Sequence, residues 1–178
     1  NKIALVHNGI IENHEEQSAR LKKLGYKFES ETDTEVIAHL IDHYHKKNDL
    51  LKSTQLATKD LKGAYAIAVI SIENKDEIIC ARLGCPLIIG QGKSEYFAAS
   101  DISALIAITR KVIYLEDGDF AKLTKNNLEI FGSNLKKVKR KVNESKVKTS
   151  SIDLGPHDHF MQKEIYEQPR AIGDTIEA

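Results

Sequence analysis

Near its start the chain reads Ile3-Ala4-Leu5-Val6-His7-Asn8-Gly9, a short apolar run followed by a turn signal. Asn-Gly is above all a turn dipeptide, so the pattern predicts a strand that ends in a turn at His7-Asn8-Gly9. The side-chain amide of Asn8 and the backbone N–H of Gly9 would then be two donors at a strand end, which could face one oxyanion. From these residues alone the ordinary turn is the better interpretation, and the oxyanion site is an alternative.

Three helices are predicted to follow this strand. The first begins after Asn13, a typical cap residue, and ends before Gly25. The second covers residues 32–46 and the third covers residues 50–61. The second has the clearest pattern, because its apolar residues recur at helical spacing on one face: Val36, Ile37, Leu40, Ile41 and Tyr44.

After Gly63 the chain changes to short apolar segments separated by turn residues, which is typical of strands. The predicted strands are residues 64–72, 77–82, 87–90, 96–99, 112–115, 120–123 and 128–131. A short helix is predicted over residues 102–108, and a hairpin turn over residues 116–119. Helices first and antiparallel strands later predict an α+β layered fold in which helices cover sheet faces. We expect one domain over residues 1–155 and a connector over residues 156–178, which is amphipathic and interrupted at Pro169.

The composition argues against several classes of function. Lys plus Arg and Asp plus Glu number 26 each, so the net charge is zero and nothing global indicates nucleic acid or an anionic membrane. No apolar run has the length of a membrane helix, and we expect no secretory leader. The basic run at residues 136–141 has no aromatic residue for base stacking, so an edge strand protected by lysines is favoured over nucleic-acid binding. The two cysteines, Cys80 and Cys85, fit a reduced cytoplasmic protein.

Two pairs of histidines could ligate a metal ion. His39 and His43 are four residues apart in a predicted helix, with Glu35 one turn before them. They lie on the side of the helix away from its apolar face, so a solvated polar surface is the favoured interpretation. His157 and His159 have no third ligand nearby in sequence, so the case for a metal is weak there as well.

Two longer segments carry a resemblance to a known family. They are Val6-His7-Asn8-Gly9-Ile10-Ile11-Glu12-Asn13 and Ser30-Glu31-Thr32-Asp33-Thr34-Glu35-Val36-Ile37. Both resemble segments of the N-terminal-nucleophile (class II) glutamine amidotransferases. A more specific segment is Gln162-Lys163-Glu164-Ile165-Tyr166-Glu167-Gln168-Pro169, which resembles the sequence that joins the glutaminase domain to a sugar isomerase domain in the amino-sugar-forming members. The likeness extends over nearly the whole chain and is loosest over residues 125–156.

This resemblance implies a fold, a substrate and three site residues. The fold is part of a four-layer αββα sandwich of antiparallel sheets covered by helices. Asn8 and Gly9 match the family's oxyanion hole, and Asp33 matches the carboxylate that binds the α-ammonium group of L-glutamine. Amide and peptide donors stabilise an oxyanion without adding a charge, and a carboxylate is the natural partner of an ammonium group. No metal and no organic cofactor is implied.

One departure from the family affects activity. The family's nucleophile is an N-terminal cysteine whose α-amino group acts as the base, whereas residue 1 is Asn and neither cysteine lies where the nucleophile belongs. We therefore expect a fragment that lacks the first strands of the fold and is inactive alone. In complete members ammonia passes to an isomerase domain acting on fructose 6-phosphate, and the protein is a homodimer. Two alternatives stay open: a non-catalytic relative that binds glutamine, and another class II enzyme such as an amidophosphoribosyltransferase.

Overall fold

A computed structural model describes residues 2–145 and 154–177 of the chain. The chain divides into two compact units, Asn1–Ser145 and Lys146–Ala178. The described residues of the first unit form the helices α1 (His14–Lys23), α2 (Asp33–His45) and α3 (Leu50–Asp60). They also form the strands β1 (Ile3–Ile11), β2 (Gly63–Ser71), β3 (Asn74–Leu83), β4 (Ile88–Gln91), β5 (Tyr96–Ala99), β6 (Lys111–Tyr114), β7 (Phe120–Thr124), β8 (Leu128–Phe131) and β9 (Val142–Glu144). The described residues of the second unit contain α4 (Phe160–Glu177).

The strands of the first unit form two antiparallel sheets. The larger sheet has five strands in the order β1-β2-β3-β7-β8, and the smaller has four in the order β5-β4-β6-β9. Each hydrogen-bonded strand pair in both sheets is antiparallel. Since helices precede the main run of strands along the chain, the architecture is the α+β class that the sequence predicts.

Buried side chains define how the layers stack. One face of the five-stranded sheet packs against the helices α1 to α3 through a cluster that includes Leu21, Ile37, Leu50, Ile67 and Ile79. Its other face packs against the four-stranded sheet through a cluster that includes Ala66, Cys80, Ile89 and Ile113. The outer face of the four-stranded sheet is covered by the segment around a 3-10 helix, through Ile88, Leu105 and Val112. The order helix, sheet, sheet, short helix is that of an αββα sandwich with a thin fourth layer.

The opening strand is longer than the sequence predicts. β1 runs from Ile3 to Ile11 and pairs residue by residue with β2. The predicted turn at residues 7–9 is therefore wrong. Gly9 has a φ of +136°, and a Cβ atom at this position would lie 2.1 Å from the carbonyl oxygen of Ala64 on β2. Asn-Gly marks a close approach of two backbones here, since only glycine fits this conformation and this spacing.

The three predicted helices of the first unit are confirmed. α2 is capped by Thr32, whose side chain accepts a hydrogen bond from the Glu35 N–H. The predicted apolar face of α2 is buried, at Val36, Ile37, Leu40 and Ile41. Asn13 is the cap residue of α1, but its side chain donates to the Asp60 carbonyl and accepts from the Lys62 N–H. Asn13 therefore ties the start of α1 to the end of α3.

Residues 116–119 connect the two sheets and do not close a hairpin. β6 belongs to the four-stranded sheet and β7 to the five-stranded sheet, so the predicted hairpin turn is wrong. The connection is fixed by Asp119, which is buried. Its carboxylate accepts two hydrogen bonds from the Arg140 guanidinium, at 2.8 and 2.9 Å, and one from the Glu116 N–H at 2.8 Å. Apolar periodicity predicts each strand but does not reveal which sheet the strand joins.

The basic run at residues 136–141 does not form the predicted edge strand. One edge strand of the four-stranded sheet is β9, which follows the basic run in the chain and pairs with β6. The run itself lies beside β8, because Lys137 bridges to Phe131 and Arg140 is held by Asp119.

Two predicted helical segments also differ in extent. The predicted helix over residues 102–108 is a single 3-10 turn, Ile102–Ala104, where the Asp101 side chain accepts from the Ser103 N–H. The connector is not interrupted at Pro169, since α4 continues through it. A proline removes one backbone donor, and the rest of the helix retains its hydrogen bonds. Of the helices in residues 2–145 and 154–177, none combines the length and apolar character required to cross a membrane.

Candidate active site

The C-terminal half of β1 presents backbone N–H groups at an edge of the five-stranded sheet. β1 is the terminal strand of that sheet as described. The Ile11 N–H donates to a side chain, Asp33 Oδ2, at 2.9 Å, whereas the Glu12 N–H donates to the Lys62 carbonyl beside β2. Successive N–H groups of a strand point to opposite sides within the sheet plane. By this alternation the Gly9 N–H points to the same open edge as the Ile11 N–H.

Asp33 reaches this edge from the first turn of α2. One carboxylate oxygen, Oδ2, accepts the Ile11 N–H. The other oxygen, Oδ1, lies 3.8 Å from Nδ1 of His7, and the side chain is 23% exposed. Helix N-termini attract negative charge, which suits a carboxylate at this position. Asp33 is therefore an accessible, oriented acceptor at the end of β1.

Asn8 lies on the face of the five-stranded sheet opposite the helices. Its pairing partner on β2 is Ala66, and its neighbours on the same face of β1, Val6 and Ile10, are exposed. Within the described part of the chain no hydrogen bond involves the Asn8 side chain, so its amide is available to a ligand. The structure thus brings Asn8, Gly9 and Asp33 to one end of β1.

The same end of β1 contains a residue to which the sequence assigned no role. The side chain of His7 is 1% exposed and lies between β1 and α2. Its Nδ1 is 3.1 Å from Oγ1 of Thr34. Burial lowers the pKa of His7 and outweighs the opposing effects of the Asp33 carboxylate and the Ala64 backbone. Its inward position was not predicted, because a turn at residues 7–9 would have broken the strand alternation that directs His7 toward the helices.

The loop before α2 is fixed by Glu35. Its carboxylate accepts hydrogen bonds from the Ser30 hydroxyl at 2.6 Å and from the N–H groups of Ser30 and Glu29 at 2.7 and 2.8 Å. The Ser30 side chain and the Glu29 N–H lower the pKa of Glu35 to about 2. These bonds fix residues 29–32 and thereby the chain that leads into Asp33.

His39 and His43 do not form the solvated surface that the sequence favoured. The ring of His39 packs against Tyr26 and Phe28, with ring centroids 5.0 and 4.6 Å apart. His43 contacts Tyr26 as well. That interpretation is wrong because residues 26–28 fold back over this side of α2, which helical periodicity alone does not reveal. Among the described residues, no group of three or more His, Cys, Asp or Glu side chains is placed to hold a metal ion.

Neither cysteine has the properties of an activated nucleophile in this structure. Cys80 lies on β3 between Ala68 and Ala121 on the neighbouring strands and is fully buried. Burial raises the pKa of its thiol to about 12. Cys85 is half-buried in the segment between β3 and β4. A thiolate is the reactive form of cysteine, so Cys80 is inert at neutral pH.

Comparison with known families assigns the chain to a class of amidotransferase domains. A family model described as a glutamine amidotransferase domain matches residues 1–107. The chain belongs to this glutamine amidotransferase family.

Proteins of known activity and structure are similar to the chain. A glutamine–fructose-6-phosphate aminotransferase (isomerizing) from Xanthomonas campestris is 55% identical over 177 residues, which is 99% of this chain and 29% of the relative. The enzyme of the same name from Neisseria meningitidis is 53% identical over 178 residues, again 29% of its length. The chain therefore spans under a third of these relatives. A solved structure of glutamine phosphoribosylpyrophosphate amidotransferase from B. subtilis matches 77% of the chain and 30% of its own, at 27% identity and a TM-score of 0.67.

Proposed function

We propose that this chain is the glutaminase domain of a glutamine–fructose-6-phosphate aminotransferase. In this function L-glutamine is hydrolysed to glutamate and ammonia, and the ammonia is used to make glucosamine 6-phosphate. The observation that carries the proposal is the hydrogen bond from the Ile11 N–H to Asp33 at the edge of the sheet, two residues along β1 from Gly9. Family membership supports the use of glutamine, and the names of the relatives support the sugar acceptor.

The spacing along β1 suits the length of glutamine. Gly9 and Ile11 are two residues apart, which is about 7 Å in a strand. Four bonds of roughly 1.5 Å join the α-nitrogen of glutamine to its side-chain carbonyl carbon, an extended span of about 5 Å. The α-ammonium group can therefore bind Asp33 while the side-chain carbonyl oxygen lies near Asn8 and Gly9.

The proposed chemistry is acyl transfer to a thiol. A thiolate attacks the side-chain carbonyl carbon of glutamine, and the carbonyl oxygen becomes an oxyanion that the Asn8 amide and the Gly9 N–H stabilise. As the C–N bond of the tetrahedral intermediate breaks, the nitrogen takes up the proton that the thiol lost and leaves as ammonia, and water then hydrolyses the thioester to glutamate and the free thiol. Cys80 is buried within the sheets, and the chain spans 29% of the Xanthomonas relative, so we assign the thiol to the N-terminal cysteine that the family resemblance implies.

The acceptor and the assembly follow from the likeness to the relatives. The segment at residues 162–169 resembles the junction to a sugar isomerase domain, so fructose 6-phosphate is the proposed acceptor and that domain the proposed partner. We further propose a cytoplasmic homodimer, as in the family. The domain boundary at residue 155 belongs to the same proposal.

A second candidate is supported by the solved structures. The B. subtilis phosphoribosylpyrophosphate amidotransferase shares the fold at a TM-score of 0.67, but its identity to the chain is 27% against 55% for the Xanthomonas enzyme. The two candidates share glutamine hydrolysis and differ in the molecule that receives ammonia.

One experiment distinguishes the candidates. The full-length protein encoded by the gene is incubated with glutamine and either fructose 6-phosphate or phosphoribosylpyrophosphate. We expect glutamate and glucosamine 6-phosphate only in the first mixture. Product only in the second would replace our acceptor with the alternative. No glutamate in either mixture, with glutamine still bound, would favour a non-catalytic relative.

A further inference from the structure

His7 is enclosed at the end of β1 that carries the proposed site. Its side chain is 1% exposed, with Nδ1 3.1 Å from Thr34 Oγ1 and 3.8 Å from Asp33 Oδ1. Its Nε2 is buried and has no hydrogen-bond partner among the described residues. Burying an incompletely paired polar ring costs free energy that an apolar side chain of similar size would avoid. Packing alone therefore does not account for an imidazole here.

The ring of His7 is neutral near pH 7, because burial lowers the pKa of His7. A neutral imidazole has one N–H donor and one acceptor nitrogen. Nδ1 lies 3.1 Å from the Thr34 hydroxyl, which can accept from an Nδ1–H or donate to an unprotonated Nδ1, so this contact joins β1 to the first turn of α2 in either form of the ring.

We propose that His7 is a positioning residue for Asp33: through its contact with Thr34, the next residue of α2, it holds Asp33 where Oδ1 receives the α-ammonium group of glutamine. This inference rests on the proposed function. Oδ2 is already occupied by the Ile11 N–H, and among the described residues Oδ1 accepts no hydrogen bond. His7 holds the first turn of α2 against β1 through Thr34, and its Nδ1 lies 3.8 Å from Oδ1, which is too far for a hydrogen bond and leaves Oδ1 to the ligand.

A neutral ring suits this position better than a cation. A lysine or a protonated histidine 3.8 Å from Oδ1 would compete with the substrate's ammonium group for the same carboxylate. A neutral ring leaves the charge of the carboxylate for the ligand.

The test uses two substitutions of His7 in the full-length protein. In His7→Asn the side-chain amide N–H lies close to the position of Nδ1, whereas in His7→Gln it reaches the position of Nε2. His7→Gln should raise KM for glutamine about tenfold with kcat changed less than about threefold, and His7→Asn should restore most of the affinity. His45→Gln is the matched control at the opposite end of α2, where His45 contacts the Asn48 carbonyl and the Ser71 hydroxyl, and it should leave KM unchanged.

A double substitution separates positioning from general structural damage. If His7 acts through Asp33, then His7→Gln should change KM less than about twofold in an Asp33→Asn background. An equal effect in both backgrounds, or equal effects of His7→Asn and His7→Gln, would overturn the inference. ¹⁵N NMR of the unsubstituted protein supplies a check that needs no variant, since a protonated, charged ring of His7 near pH 7 would also overturn it.

The same data separate this inference from the function on which it rests. A raised KM in Asp33→Asn together with a normal KM in His7→Gln removes only the role of His7. An unchanged KM in Asp33→Asn removes the proposed glutamine site, and the role of His7 with it.

Discussion

Replacing Asn8 by alanine in the full-length protein should lower kcat for glutamine hydrolysis by roughly two orders of magnitude. The oxyanion exists only in the transition state and the intermediate, so KM should change little. The Gly9 N–H stays in place in this variant, which limits the loss to one of two donors. Within the described residues the Asn8 side chain makes no hydrogen bond and is exposed, so its removal should not destabilise the fold.

The assay measures the initial rate of glutamate release over a range of glutamine concentrations, with thermal unfolding as a control. Asn8→Asp keeps the size of the side chain but supplies acceptors only, so it should reduce kcat at least as much as Asn8→Ala. A kcat within threefold of the unsubstituted protein, at an unchanged melting temperature, would refute the assignment of Asn8 to the oxyanion. A loss confined to KM would instead place Asn8 on a part of glutamine that does not react.

Asp33→Asn keeps the size of the side chain but removes its charge, which should cost about 2–5 kcal/mol of glutamine-binding free energy. Steady-state kinetics should therefore show KM for glutamine raised at least about 30-fold. Gly9→Ala should lower the free energy of unfolding, measured by chemical denaturation, by about 3 kcal/mol or more, because its Cβ meets the Ala64 carbonyl. The control is Gly25→Ala, which is also at positive φ but lies in open space and should lower that free energy far less. The pKa of Glu35 is lowered from 4.5 to about 2, so the stability that its carboxylate adds is present above pH 4.5 and is lost as the pH falls toward 2. The difference in melting temperature between the unsubstituted chain and Glu35→Gln should therefore shrink as the pH is lowered from 4.5 to 2. The 178-residue chain alone should release no glutamate above background, and turnover would show that the nucleophile is misassigned.

The sequence predicts the elements of this fold better than the way they combine. The apolar face of α2 is visible in its spacing, because residues 36, 37, 40 and 41 must share one side of a helix. The crossing between the sheets at residues 116–119 is not visible, because it depends on Arg140 reaching Asp119 from 21 residues away. His39 is covered for a similar reason, since Tyr26 and Phe28 approach α2 from an irregular loop.

At the candidate site, the dipeptide Asn8-Gly9 shows the same limit of prediction from sequence. Local statistics treat Asn-Gly as a reversal, and by that criterion Asn8 and Gly9 would leave the sheet. In the structure both residues stay in β1, and glycine is required at residue 9 because the Ala64 carbonyl leaves no space for a Cβ there. The family resemblance names both residues as candidates, but the strand geometry that gives them their directions comes from pairing with β2.

That extended geometry explains how one short strand can serve both a sheet and a ligand. Alternate N–H groups of β1 point toward β2 and hold the strand in place, while those of Gly9 and Ile11 point to the open edge. Their direction is fixed by the sheet, so no side chain or solvent needs to reorganise when charge develops on a bound carbonyl oxygen. The Ile11 N–H orients the Asp33 carboxylate, which in our proposal binds the charged end of the ligand, and we propose that the Gly9 N–H two residues away binds its reacting end. A substitution that shifts β1 relative to β2 should therefore impair ammonium binding and oxyanion stabilisation together, whereas substitutions at Asn8 or Asp33 should impair only one of them.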